Sequence, residues 1–488
     1  MSAKSMSIPV FDAFSGGRMA LLLGLLGAAL AALFTLAPWS LALLCGFAVL
    51  MVSAAENEPF LLLVIFLTPV GWFIGKTDLL VSAFPSRSNI DAALLIRCVV
   101  IVGFFLGRLW RGQFEIKRQF RPALAKASLA FAAAALISAV LSEPDLRLAS
   151  MIRVDLRAVA YLGFFFFMLA WCGSQERIER IVRVLLTSAL VAAVFGIVQV
   201  AVGGYTLLWY YLYPLGSETF PWDSRATSFL DYPNDLASYL NLILPLALAC
   251  YAVGGPEWRN LGAWTFVVGS AALVCTQSRG GMLGFGCMLV AGIFLLVEKL
   301  RTRILSLGTT ASLGIVLYLA VIAPGKAHLG VTDLYTAATR LFLWGVAWQL
   351  FTGSPIHGVG WGNFQVLYGA YLDPSLLAES QLGVHNTYLA LLAETGLLGF
   401  LAFMILVVLG FRAAYDHFRT SQNSFGRSLG FGVMGAMVAM VVQGFVEFQI
   451  AFTQFGVLFW MLLGLLVASA SLQRKSVVSA AVPSGPGA

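Results

Sequence analysis

Apolar positions along this chain are gathered into long runs separated by short polar breaks. The runs are roughly 17–25 residues long, the length a helix needs to cross a hydrocarbon core, and they lack the period-two alternation of an outer-membrane barrel strand. The pattern predicts about fourteen spans, near 19–36, 39–54, 59–74, 91–107, 123–141, 155–172, 181–202, 236–253, 260–276, 281–297, 304–323, 386–411, 429–446 and 452–470. The expected fold is therefore all-α, a polytopic inner-membrane protein with about 12–14 transmembrane helices. The first run, "MALLLGLLGAALAALFTLA" after Arg18, is long and leads straight into further spans, so it reads as a retained anchor rather than a cleaved signal.

Basic residues orient the spans, because short cytoplasmic loops keep Lys and Arg while translocated ones do not. "RLWRGQFEIKRQFR" (108–121), "QERIERIVR" (175–183), "EKLRTR" (298–303) and "RAAYDHFRTSQNSFGR" (412–427) all fall on one side when the spans are counted in order. That side is expected to be the cytoplasm, with both termini there. The same count puts two longer segments outside, 203–235 and 324–385, rich in Trp, Tyr and Gly and expected to be folded. The chain then divides into N-terminal spans (1–202), a first periplasmic loop (203–235), central spans (236–323), a large periplasmic loop (324–385), C-terminal spans (386–472) and a disordered cytoplasmic tail (473–488).

Composition excludes a soluble globular protein: 60% of the 488 residues are hydrophobic, 11% are charged, and mean hydropathy is +0.88. The net charge of +7 comes mostly from the cytoplasmic loops, and so reflects topology and anionic membrane lipids rather than nucleic acid. The six cysteines lie in or beside apolar runs without CxxC spacing, as packing residues do.

Arginines on the outer side need a separate reason. Arg225 in "WDSRATSFLDYPND", Arg279 in "CTQSRGGML" and Arg340 in "AATRLFLWGVAWQLF" are three of these. Arg279, on a tight outer turn, could snorkel to headgroups or form an anion site. Guanidinium suits bidentate capture of phosphate, and several converging guanidiniums suit a diphosphate better than one. Ser278 and the Gly280–Gly281 amides, opening the next helix, would add donors at its positive end. Arg340 is followed at helical spacing by Trp344 and Trp348, which predicts an amphipathic helix at the outer surface, either as an aromatic belt or as a surface for sugar rings or lipid headgroups.

In "GSPIHGVGWGNF" (353–364), glycines at 353, 358, 360 and 362 suit tight turns or close backbone approach. His385 and Asn386 begin "HNTYLALLAETGLLGF", where the second outer loop enters a span. The two residues could simply cap the helix, or Asn386 could contact substrate. Alternatively, because a helix N-terminus disfavours an imidazolium, His385 would be kept in the neutral form that a general base needs. His357 is a lesser candidate, and His328 and His417 suggest nothing. Glu394, nine residues into the span from His385, is costly at that depth and should pair with a donor or face a cavity. Asp231 and Asp235 in "DYPND" read as helix caps rather than metal ligands, and no metal or cofactor is expected.

Four stretches in this order, "SRATSFLDYPNDLASYLNLILPLAL", "TQSRGGML", "TRLFLWGVAWQLFTGSPIHGVGWGNF" and "HNTYLALLAETGLLGFLAF", resemble the O-antigen ligase and Wzy-type O-antigen polymerase family over about 225–405. The resemblance implies a metal-independent, inverting glycosyltransferase of the membrane-embedded C type. Its donor would be a glycan on undecaprenyl diphosphate, used at the periplasmic face. Arg225 and Arg279 match family arginines that hold the diphosphate, His385 matches the histidine that activates the acceptor hydroxyl, and Arg340 matches a recurrent arginine before the Gly-rich loop. The acceptor would be lipid A core for a ligase, the reading we favour, or another lipid-linked repeat unit for a polymerase. A lipid-linked glycan transporter is a further alternative, but it should show charged residues in mid-span and matching broken helices in two halves, whereas the polar candidates here cluster outside.

Overall fold

The computed structural model describes residues 57–69, 92–110, 122–202, 225–230, 232–297, 299, 302, 306, 331–371, 383–449 and 453–481. Its regular elements are helices: α1 (Glu58–Phe66), α2 (Ala92–Trp110), α3 (Ala123–Leu141), α4 (Pro144–Trp171), α5 (Gln175–Ala201), α6 (Pro233–Ala252), α7 (Pro256–Cys275), α8 (Arg279–Leu296), α9 (Val331–Gly353), a single turn α10 (Phe364–Leu367), α11 (Thr387–Thr420), α12 (Ser424–Gln443) and α13 (Thr453–Ala481). Eight of these are long and apolar enough to cross a membrane: α3, α4, α5, α6, α8, α11, α12 and α13. The all-α, multi-pass reading holds. The expected spans near 19–36 and 39–54 lie outside the described residues, as does most of that near 304–323.

Burial sorts the spans into centre and rim. α6, α12 and α13 have 78%, 72% and 83% of their apolar windows buried, against 22% for α8 and 33% for α11. α6 packs on α12, α7 and α8; α13 packs on α4; and α11 bridges α12, α3 and α9. Without a hydrophobic driving force between helices in lipid, such contacts rely on small residues and buried hydrogen bonds. Both occur here. A Cβ on Gly284 would lie 2.7 Å from the Ala439 carbonyl oxygen, so α8 lies close against α12. Asn241 Nδ2 donates to Gly281 O (2.9 Å) and to Gln443 Oε1 (2.7 Å), joining α6, α8 and α12.

The two ends of the bundle differ in charge. Where α5, α7 and α12 begin and α11 ends, Asn423 Nδ2 meets Gln175 Oε1 (2.9 Å), Ser424 Oγ meets Gly254 O (3.2 Å), and Arg183 lies 4.2 Å over the Trp258 ring. Arg177, Arg180, Arg412, Arg419 and Arg427 belong to this end too. The opposite end gathers the starts of α4, α6, α8 and α11 and the glycine loop after α9.

α11 is not continuous. Gly396 (φ +62°, ψ −165°) breaks it, and segment 355–360 takes up the freed backbone groups. Leu397 N donates to Pro355 O (2.9 Å) and Leu398 N to Ile356 O (3.2 Å), while Val359 N and Gly360 N donate to Ala393 O (2.9 Å) and Glu394 O (3.0 Å). A broken helix inside a membrane needs this substitution, because lipid offers no hydrogen bonds. Glycine is required on both sides of the junction: a Cβ on Gly396 would lie 2.4 Å from the Ile356 carbonyl carbon, and one on Gly358 (φ +70°) would lie 2.5 Å from that of Glu394. The expected close approach in the glycine loop is thus found at Gly358, Gly360 and Gly362, all with positive φ, but not at Gly353, which faces open space.

Candidate active site

Segment 225–230 turns back into the bundle ahead of α6, and its backbone is held by one side chain. Gln199 Oε1, at the end of α5, accepts from Thr227 N and Ser228 N (both 3.0 Å), and its Nε2 donates to Thr227 Oγ1 (3.1 Å). Ala226 N pairs with Cys275 O (2.9 Å) at the end of α7. Arg225 is thereby delivered next to the α7–α8 turn, where its Nε donates to Thr276 O (2.8 Å) and its Nη2 to Asn234 Oδ1 (3.3 Å).

Arg279 is the first residue of α8, three residues beyond Thr276, and its side chain is exposed. Burial lowers the proton affinity of the Arg225 guanidinium; Glu447 opposes this, and Arg279 adds to the lowering. The two arginines therefore stand within electrostatic reach of each other. Ser278 is the N-cap of α8, its Oγ accepting from Gly281 N (3.2 Å).

Glu447 is the residue on which the site converges, and the sequence reading passed it over. It lies between α12 and α13 and is 5% exposed. Its Oε1 accepts from Asn234 Nδ2 (2.6 Å) and lies 3.5 Å from Arg340 Nη2, while its Oε2 lies 3.3 Å from His385 Nδ1. A buried carboxylate is tolerated only when paired and hydrogen-bonded, as this one is. A carboxylate acceptor puts the imidazole proton on Nδ1 and leaves the Nε2 lone pair for a substrate.

His385 has φ +49°, and Ser228 and Gln277 have φ +55° and +52°. These are the positive-φ non-glycine residues among those described. Each is adjacent to the cluster, and backbone held in this region collects at functional sites. Asn386 caps α11, its Oδ1 accepting from Tyr388 N and Leu389 N (both 3.0 Å). α9 buries Leu343, Val346, Ala347 and Leu350 against Val384, Ala390 and Ala393, but Leu341, Phe342 and Trp348 are exposed on it, so its outward face is apolar too. Trp344 Nε1 donates to Val384 O (3.0 Å), one residue before His385, and Trp348 is exposed.

Residues 264–404 match the family model described as O-antigen ligase. That stretch is similar to the O-antigen ligase family over a little under a third of the chain. No curated protein matches the chain. The matched domain contains Ser278, Arg279, Arg340, His385 and Asn386; Arg225 and Glu447 flank it and complete the cluster.

Of the other candidates, His357 is a loop residue whose Nδ1 contacts its neighbour's Gly358 O (2.7 Å), and His417 is buried against Ser469 Oγ (3.0 Å) on α13. His328 and Asp231 lie outside the described residues. The N-cap of α6 is Tyr232, so Asp235 belongs to its first turn rather than capping it. Glu394 meets both expectations for it: Oε1 accepts from Phe364 N (3.3 Å), anchoring the glycine loop, and the side chain faces a cavity with Arg153 and Arg157. These two arginines lie within α4 and are buried, so the polar candidates do not all cluster in the outer loops as expected.

Proposed function

We propose that this multi-pass membrane protein is a metal-independent, inverting glycosyltransferase of the O-antigen ligase type. It moves a glycan from undecaprenyl diphosphate to a hydroxyl of lipid A core at the periplasmic face of the bacterial inner membrane. The observation that carries this reading is the convergence of Arg225, Arg340 and His385 on Glu447, with Arg279 beside Arg225. Three guanidiniums against one carboxylate leave an excess of about two positive charges, matched to the two negative charges of a diphosphate diester.

In this mechanism His385 Nε2 removes the proton from the acceptor hydroxyl as its oxygen attacks C1 of the donor sugar from the face opposite the diphosphate. The C1–O bond breaks, configuration inverts, and both bonding electrons leave with the diphosphate, whose growing charge Arg225 and Arg279 stabilise from fixed positions. Glu447 keeps Nδ1 protonated and stabilises the imidazolium that forms, much as a buried aspartate orients a catalytic histidine. The transferred proton then passes from His385 to the departing diphosphate or to water. The basic end of the bundle faces the cytoplasm in this orientation, following the positive-inside rule.

The donor half of this mechanism would serve a Wzy-type polymerase equally well; the acceptor separates the two. Complementation of a strain lacking the gene tests both parts. His385→Ala is expected to abolish transfer, and full activity from it would remove the base assignment. Loss of long glycan from lipid A with lipid-linked polymer retained supports a ligase, whereas single repeat units on the final acceptor support a polymerase.

A further inference from the structure

A cavity of about 40 Å³, partly open, lies between α4, the glycine loop and α11. Gly383 and Val384, which lead into His385, form one wall with Phe448, which follows Glu447. Arg153, Arg157, Trp361, Gln365 and Glu394 line it as well.

The buried polar atoms of the lining residues that lack a hydrogen-bond partner include the indole Nε1–H of Trp361 and Oε2 of Glu394. Trp361 is 3% exposed and Glu394 is 2% exposed. Leaving one such donor and one such acceptor buried and unmade is costly unless a ligand supplies both missing bonds. The Trp361 ring is held by Phe131 (5.8 Å between centroids) and Phe448 (6.4 Å), and Glu394 by Phe364 N, so neither group is placed to turn away.

The pairing selects the ligand chemistry. A phosphate can accept from Trp361 and the arginines, but it has no proton for the carboxylate oxygen of Glu394. A sugar hydroxyl can accept from the indole and donate to the carboxylate, and neighbouring ring hydroxyls can accept from Arg153 and Arg157. We propose that this cavity is a sugar-binding subsite in which Trp361 Nε1–H and Glu394 Oε2 read the hydroxyls of the acceptor, presenting the adjacent hydroxyl to His385. Its assignment to the acceptor rests on the proposed function, in which Arg225 and Arg279 take the diphosphate.

The test uses the full chain in nanodiscs and thermal unfolding with two kinds of probe: inorganic pyrophosphate, and methyl glycosides of glucose, galactose, mannose, rhamnose and N-acetylglucosamine. At least one glycoside should raise the wild-type midpoint. Trp361→Phe, which removes the N–H and keeps an aromatic ring, should weaken that glycoside about fivefold, and Glu394→Gln about tenfold, with the pyrophosphate shift unchanged in both. Arg279→Ala should do the reverse. The proposal is overturned if no glycoside shifts the wild type, or if Trp361→Phe, with its unliganded midpoint intact, binds the glycoside like the wild type. His385→Ala separates this outcome from failure of the proposed function: it should retain glycoside binding, and if it also retains transfer, the base assignment fails while the subsite stands.

Discussion

His385 Nδ1 stands 3.3 Å from Glu447 Oε2, and the other oxygen of the same carboxylate lies 2.6 Å from Asn234 Nδ2 and 3.5 Å from Arg340 Nη2. One buried side chain thus orients the base and connects it directly to Arg340 and, through Asn234, to Arg225. Glu447→Gln preserves shape but offers an amide N–H where Nδ1 needs an acceptor, which favours the wrong imidazole tautomer. We expect kcat to fall by about 10²-fold or more with donor KM changed much less. Steady-state transfer kinetics in reconstituted membranes would show this, and a variant with unchanged kcat would remove Glu447 from the mechanism.

Arg225 and Arg279 are predicted to differ in their tolerance of lysine. Arg225 uses two nitrogens as a fork, Nε to Thr276 O and Nη2 to Asn234 Oδ1, which an ammonium cannot reproduce, whereas Arg279 stands exposed at the start of α8. Arg225→Lys should therefore lower both thermal stability and pyrophosphate affinity. Arg279→Lys should lower affinity alone, by about tenfold, as a bidentate contact becomes a point charge. Equal stability losses in both variants would contradict the asymmetry.

Gln199 touches no substrate in this scheme, yet it should behave as a positioning residue. Its amide takes up both backbone N–H groups of Thr227 and Ser228, in a segment where Ser228 is held at φ +55°. Gln199→Leu leaves those donors buried and unmade, at a cost of about 2–4 kcal/mol for the pair. Arg225 would be released from Thr276, so donor KM should rise more than kcat falls. A variant that loses stability with KM intact would mean the segment is structural only.

The helical class was legible because membrane thickness fixes run length, and Arg225, Arg279 and Arg340 could be singled out because the expected topology put arginines where short translocated loops usually have none, with His385 on the same expected side. The same rule should have exposed Arg153 and Arg157. Arg153 falls just outside the expected span 155–172, and Arg157 lies inside it near its start, where an arginine passes for an interfacial residue; α4 begins at Pro144 and places both well within the helix. Glu447 carried a signal too, as an acid next to the end of a span on the side of the unexplained arginines, but a single carboxylate at a boundary reads as a solvated loop residue until its partners are placed. Ser278 and Asn386 were candidates for substrate contacts. Both side-chain oxygens are occupied by helix capping, which their position just before a span also allowed. The break in α11 could not be read from "ETGLLGF", since glycine is common inside membrane helices and only the answering loop at 355–360 makes this one a discontinuity.

That break supports a final prediction. Gly396 has φ +62°, and an added Cβ would fall 2.4 Å from the Ile356 carbonyl carbon and oxygen, both backbone atoms that cannot rotate aside. Gly396→Ala must either strain α11 or push segment 355–360 away, which would strand the N–H groups of Leu397 and Leu398 in an apolar setting. The loss should be about 2–4 kcal/mol, above the usual effect of Gly→Ala at positive φ, because sterics and hydrogen bonds fail together. Gly353→Ala is the control, since the glycine has open space around it and should accept a methyl group without loss. The glycine loop also carries Trp361 and leans on Glu394, so Gly396→Ala should impair glycoside binding before pyrophosphate binding. Thermal unfolding of the two variants with each probe tests the ordering, and a Gly396→Ala protein as stable as Gly353→Ala would show that the junction is looser than its geometry implies.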